Sequence, residues 1–205
     1  MTVTLYGHAD YSGLSLSARA SWSETDWASP NRLITEVDYQ GTFTSHQADK
    51  VSSASQYVGS FFWVTPAIQT DRTMGSGSVT FSMTGDESAA LLNAYPRMFV
   101  WVCNSSGTYQ RDFVTTTAIG STEFSTAYAV RTVTCTTVNG VTIYAGERLV
   151  FECGYSASTS RTGNVLFAMI DASSDVMYVS LPSPIVAGDF TAAESGFLIP
   201  NKIWG

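Results

Sequence analysis

Lysine is nearly missing from this chain: Lys50 and Lys202 stand against eight arginines, and charged residues make up only 13% of 205 positions. A net charge of −7 without clustered cations excludes a phosphate-backbone partner, so no direct nucleic-acid contact is expected. Histidine is scarce too, with only His8 and His46. No apolar run approaches the length of a membrane-spanning helix, so no membrane partner is expected. The first residues, Met1-Thr-Val-Thr, lack a basic stretch followed by an apolar one, which predicts no signal peptide. Three cysteines, Cys103, Cys135 and Cys153, cannot all pair within one chain. Each lies among apolar neighbours in a predicted strand and reads as a buried small hydrophobe, in keeping with assembly in a reducing cytoplasm.

What fills the space is hydroxyl. Serine and threonine supply about a quarter of the chain, a composition suited to short strands with hydroxylated outer faces. The most regular stretch is 146–155, where Leu149, Phe151, Cys153 and Tyr155 alternate with Arg148, Val150, Glu152 and Gly154. Strict alternation predicts a half-buried strand with the first set inward. Asn139-Gly140 ahead of it is a hairpin signal, and 164–170 and 176–181 read as further strands around a polar turn at 171–175.

Earlier in the chain, alternation at 14–22 predicts a strand, 32–39 another, and 61–64 a third stopped by Pro66. Residues 45–60 are polar and read as loop. Val79, Phe81 and Met83 face inward on a strand ending at Gly85, and 86–93 carries helix-start chemistry for about two turns before Pro96. Strands at 98–103, 111–117 and 129–137 complete a set of roughly ten to twelve. The expected fold is all-β, an antiparallel jelly-roll-like β-sandwich with one short helix and extended terminal arms. Its expected parts are an N-terminal arm or strand region at 1–30, the sandwich at 31–185 and a C-terminal arm at 186–205. Val79, Phe81, Val100, Leu149, Phe151 and Cys153 form the expected core. Phe197, Leu198, Ile199, Ile203 and Trp204 form a candidate interface, because large apolar side chains at a terminus must pack on something.

Catalytic constellations are weak. His8 with Asp10 would need a distant third metal ligand, and two solvated loop residues is the plainer reading. There is no Gly-x-Ser-x-Gly elbow, although a Ser-His-Asp triad assembled in space needs none. Gly75-Ser-Gly-Ser-Val79 lacks the lysine and helix of a phosphate loop and reads as a turn. Glu147 and Glu152 could form a glycosidase acid pair, but Glu152 reads more simply as a structural partner of Arg148. Tyr109, Tyr128 and Trp101 could form a sugar platform or belong to the core.

At Ala145-Gly-Glu-Arg-Leu-Val-Phe-Glu-Cys-Gly-Tyr155 the chain resembles jelly-roll virion proteins of tailed bacteriophages, in which A-G-D-R-L-V-x-E-x-G follows a threonine-rich strand. Thr159, Thr162 and Phe167 fall where that pattern continues, and Glu87-Ser-Ala-Ala-Leu-Leu-Asn93 ahead of Met98-Phe-Val-Trp-Val102 is a second match. The resemblance covers about residues 75–180. It implies a non-enzymatic capsid decoration or cement protein in the virion, without catalytic residues, metal or cofactor. Its expected partner is the major capsid protein or another virion protein, and homo-oligomers, trimeric ones in particular, are expected. The alternative is a carbohydrate-binding module of a phage tail or head fibre. A third reading is a glycan-degrading enzyme on the same scaffold.

Overall fold

The computed structural model describes residues 2–11, 14–28, 31–35, 44–51, 54, 56–157, 162–170 and 177–190. Phe197, Leu198, Ile199, Ile203 and Trp204, the expected interface residues, lie outside these. The described residues form fifteen strands and no helix. In chain order they are β1 (Val3–Tyr11), β2 (Glu24–Thr25), β3 (Asn31–Thr35), β4 (Thr44–Lys50), β5 (Gln56–Val64), β6 (Arg72–Thr73), β7 (Ser78–Glu87) and β8 (Ala94–Cys103). Then follow β9 (Tyr109–Asp112), β10 (Ala118–Ile119), β11 (Ala129–Thr136), β12 (Thr142–Ile143), β13 (Arg148–Ala157), β14 (Gly163–Ile170) and β15 (Tyr178–Leu181).

One hydrogen-bonded path runs β10-β8-β13-β5-β3-β1-β15-β7-β14-β4, with β11 added to β7, β2 to β5 and β9 to β8. Pairing is antiparallel except where β2 and β3 meet β5. The path folds over itself into two facing layers, and aromatic rings bridge them. Phe81 of β7 approaches Phe151 of β13 at 6.1 Å between centroids, and Phe167 of β14 meets Phe61 of β5 at 5.1 Å and Tyr155 of β13 at 6.4 Å. The architecture is therefore an all-β sandwich. Val79, Phe81, Val100, Leu149, Phe151 and Cys153 are each 0% exposed.

Three expectations need correction. Residues 45–60, expected as loop, instead hold most of β4 and the start of β5, paired with β14 and β13. The predicted half-buried strand is buried on both faces: Arg148, Val150 and Glu152 are closed off as fully as Leu149 and Phe151. Residues 14–28 lie across the outer side of β13 and its neighbours, and that cover is what period-2 alternation could not reveal. The predicted helix at 86–93 is also absent. Asp86 and Glu87 remain in the sheet, opposite Leu166 and Val165, and the chain then turns through Leu92 N to Ala89 O (2.8 Å) and Asn93 at φ 49°. Sheet pairing outweighs local helix propensity, and the Glu87 carboxylate caps the turn by accepting from Ala94 N at 3.1 Å.

Candidate functional site at Glu152

Glu152 sits in the middle of β13, opposite Phe62 on β5 and Phe99 on β8. A carboxylate between two aromatic neighbours needs donors from elsewhere, because a buried charge without partners is costly. They come from the covering segment. Oε1 accepts from Arg19 N at 2.5 Å, and Oε2 accepts from Ala20 N at 3.0 Å and from the Trp22 indole Nε1 at 2.9 Å. Burial pushes the Glu152 carboxyl above its ordinary value, against the opposing pull of Trp22, Ala20 and Arg19. The buried Trp101 Nε1 adds a weaker pull on the same carboxyl without completing a hydrogen bond.

Residues 14–22 are extended but lie outside the strands. Leu14 is buried, and Leu16, Ala18, Ala20 and Trp22 are half-buried, while Ser15, Ser17, Arg19 and Ser21 face solvent. The predicted alternation is therefore present, although two amides at its centre bond a side chain rather than a neighbouring strand. From Ser23 onward the chain is tied to β5 by Ser23 N to Tyr57 O, Asp26 N to Gly59 O and Ala28 N to Ser60 O.

Arg97 supplies the second anchor. It stands on β8 opposite Gly154, where the β13 strand bulges and where a Cβ would meet Val58 O at 2.0 Å. Its guanidinium lies 4.0 Å from the Tyr57 ring centroid and 4.4 Å from that of Trp22, and Nη1 donates to Ser21 O at 2.7 Å. Burial lowers its pKa, while Tyr57 and Glu152 favour the charged form. Arg19 stacks over Tyr109 at 4.0 Å. Trp27 stacks on Phe62 at 4.3 Å and meets Trp22 edge-on at 5.8 Å. This cluster clasps a segment of chain against the sheet. Apart from Glu152 itself, little in the sequence announces this cluster. The one legible hint was Arg97, a cation set inside an apolar strand.

The other candidates separate in space. Glu147 takes two-pronged bonds from Arg111 Nη2 (2.7 and 2.8 Å) and accepts from Tyr144 N at 2.8 Å. An odd spacing of five residues on an extended strand sends Glu147 and Glu152 to opposite faces, about 16 Å apart, so they form no acid pair. Arg148 lies about 13 Å along the strand from Glu152 by the same rise, and its Nη1 donates to Thr65 O at 3.1 Å. His46 Nε2 is 2.7 Å from Asp26 O, and the side chains of His8 and Asp10 fall outside the described residues. No group of three or more metal-capable side chains occurs among the described residues. Thr137 Oγ1 clasps the 75–77 turn, donating to Gly75 O and accepting from Gly77 N, each at 2.8 Å. Trp101 is 1% exposed, which closes its ring to any sugar.

No family model matches the sequence, and no curated protein is similar to it. Solved structures with the same fold do exist. A CocE/NonD family hydrolase from Staphylococcus aureus superposes with a TM-score of 0.54 at 9% identity, over 88% of this chain and 36% of that one. An α-amino acid ester hydrolase gives 0.56 at 11% identity, over 88% and 36%. An aminopeptidase from a marine sediment archaeon, Thaumarchaeota archaeon, gives 0.57 at 9% identity, over 89% and 36%. The chain thus spans about a third of the length of the hydrolases it resembles.

These matches overturn the expected role. The reading as a non-enzymatic virion decoration protein, with a fibre carbohydrate-binding module as its alternative, rested on short motifs, and these three structures of the same fold are hydrolases. The motif around Ala145–Tyr155 has a local explanation: Gly146 takes φ +89° at the turn into β13, and the residues after it serve two buried faces.

Proposed function

We propose that this chain is the β-sandwich unit of a hydrolase acting on ester or amide bonds, built as a jelly roll. The observation that carries the reading is the extent of the likeness: nearly nine-tenths of this chain matches, against 36% of each hydrolase. A likeness of that extent corresponds to one all-β portion of a larger enzyme. The jelly-roll reading is supported by strand order, since neighbours such as β8, β13 and β5, or β15, β7 and β14, come from distant parts of the chain. In this reading the sandwich works beside a unit that bears the nucleophile, and its interlayer core gives that neighbour a rigid wall.

The test is to isolate the chain from its native source under gentle conditions. Hydrolysis of p-nitrophenyl esters and aminoacyl p-nitroanilides is then followed in the isolated fraction and with the chain alone. Turnover that travels with the chain is expected. A fraction that contains the intact chain in its native associations yet cleaves neither substrate class would overturn the reading.

A further inference from the structure

The Asn139-Gly140 pair turns the chain from β11 into β12, at a corner that folds back on β6. Val141 N donates to Val138 O at 3.2 Å, and Gly140 takes φ +78°. Asn93 is the only non-glycine with positive φ among the described residues, so Asn139 does not share that conformation and the turn is of type II. Gly140 and Val141 both face Met74: Gly140 N donates to Met74 O at 2.7 Å, and Met74 N donates to Val141 O at 2.8 Å. Two residues against one, with a left-handed glycine first, make a β-bulge. Beyond it Thr142 and Ile143 pair with Thr73 and Arg72. Met74 is buried, whereas Asn139 and Gly140 are exposed, and a Cβ at Gly140 would meet nothing within 4 Å.

We propose that Asn139 is a modification site, a deamidation centre that this corner holds unreactive and that converts only when the corner opens. Water reaches the asparagine, and the glycine that follows puts no side chain in the way of attack. In the reaction the Gly140 amide gives its proton to solvent base, and its nitrogen attacks Asn139 Cγ. The new N–C bond closes a succinimide ring as the Cγ–Nδ2 bond breaks and ammonia leaves. Water then opens the ring at either carbonyl to give aspartate or isoaspartate, so one water is taken up and one ammonia lost. The folded corner blocks two of these requirements. The attacking amide is donated to Met74 O and keeps its proton while that bond holds. A type II turn also sets ψ of its first central residue near about +120°, which points the Gly140 nitrogen away from Cγ. Conversion therefore passes through local opening of residues 138–143 from β6, and its rate is the chemical rate scaled by the open fraction. Isoaspartate adds a carbon to the backbone and cannot rebuild the bulge, so the corner keeps a lasting mark of having opened. The assignment does not depend on the hydrolase reading.

Peptide mass spectrometry of the full chain, aged in warm, mildly alkaline buffer either folded or in guanidinium chloride, tests this. Unfolded, residue 139 should convert readily to a mixture of aspartate and isoaspartate. Folded, it should convert at least about tenfold more slowly, and that slowing should match the hydrogen-exchange protection of the Gly140 amide in the same buffer. Thr73→Gly removes the 2.8 Å bond between the Thr73 and Thr142 hydroxyls and weakens β6 at an exposed position. It should speed conversion in the folded chain and leave the rate in guanidinium chloride unchanged. Equal rates in the folded and unfolded wild type would overturn the proposal, as would no conversion in guanidinium chloride. So would slowing that bears no relation to Gly140 exchange, or a folded rate that Thr73→Gly leaves as it was.

Discussion

The indole of Trp27 rests directly on Gly59. A Cβ at that glycine would stand 2.4 Å from Trp27 Cη2 and 2.6 Å from Cζ2, and the same indole is stacked on Phe62. Gly59→Ala therefore has to shift a ring already held by its stacking on Phe62. The substitution should cost about 1–3 kcal/mol, as overpacking does. Urea unfolding monitored by tryptophan fluorescence checks it, and an unchanged midpoint would contradict the contact.

Phe151 joins the two layers through Phe81 and is fully buried. Truncating it to alanine loses transfer energy and leaves a cavity, at a combined cost of about 3–5 kcal/mol. Chemical denaturation of Phe151→Ala against the wild type measures this directly. A loss below about 1 kcal/mol would mean that the register of β13 is wrong.

Burial pushes the thiols of Cys103 and Cys135 up to about 12 from an ordinary 9.0. The folded chain therefore holds these protons more tightly than the unfolded one. Each thiol contributes stability that is fully present below the unfolded value and is lost as pH rises toward about 12. The melting temperature should fall progressively above about pH 9, and Cys135→Ala should flatten that slope. At pH 8 the native thiols should resist a thiol reagent that labels the unfolded chain quickly.

Asp189 behaves in the opposite sense. Burial alone would raise its carboxyl, but the hydrogen bonds from Arg72 at 2.6 and 2.9 Å and from Val186 N at 2.8 Å hold it below the ordinary value. Its contribution to stability is present above the unfolded value, near about 4, and fades as pH falls through the folded one. Asp189→Asn should lower the melting temperature at pH 7 and make the acid limb of the stability curve shallower. Parallel curves for the two proteins would rule out this role.

The inward side of the sheets was legible in the sequence because it depends on local period. Leu149, Phe151 and Cys153 repeat every second residue, and so do Val79 and Phe81. The outer cover was not legible, since nothing near Glu152 in sequence announces that Arg19, Ala20 and Trp22 will reach it from some 130 residues away. Residues 45–50 read as polar loop, yet they pair with β14 from Lys50 to Ser45. There long-range bonding decides what composition left open. At 86–93 the acids and alanines do favour a helix locally, but Asp86 and Glu87 are already committed to β14. The function suffered from the same limit, because short motifs on one strand describe a turn and two buried faces rather than a task.

The first strand of this sandwich finds its partner near the far end of the chain: Val3 stands opposite Leu181 and Leu5 opposite Val179. A ribosome making this protein releases β1 long before β15 exists, so β1 has to wait with one of its two edges unmatched. The seam that joins the layers closes late, and contacts of such sequence separation are slow to form. Fragments that stop short of β15 would leave β1 open to strand pairing with other chains. Nascent copies would therefore be most exposed to aggregation just before synthesis reaches Tyr178.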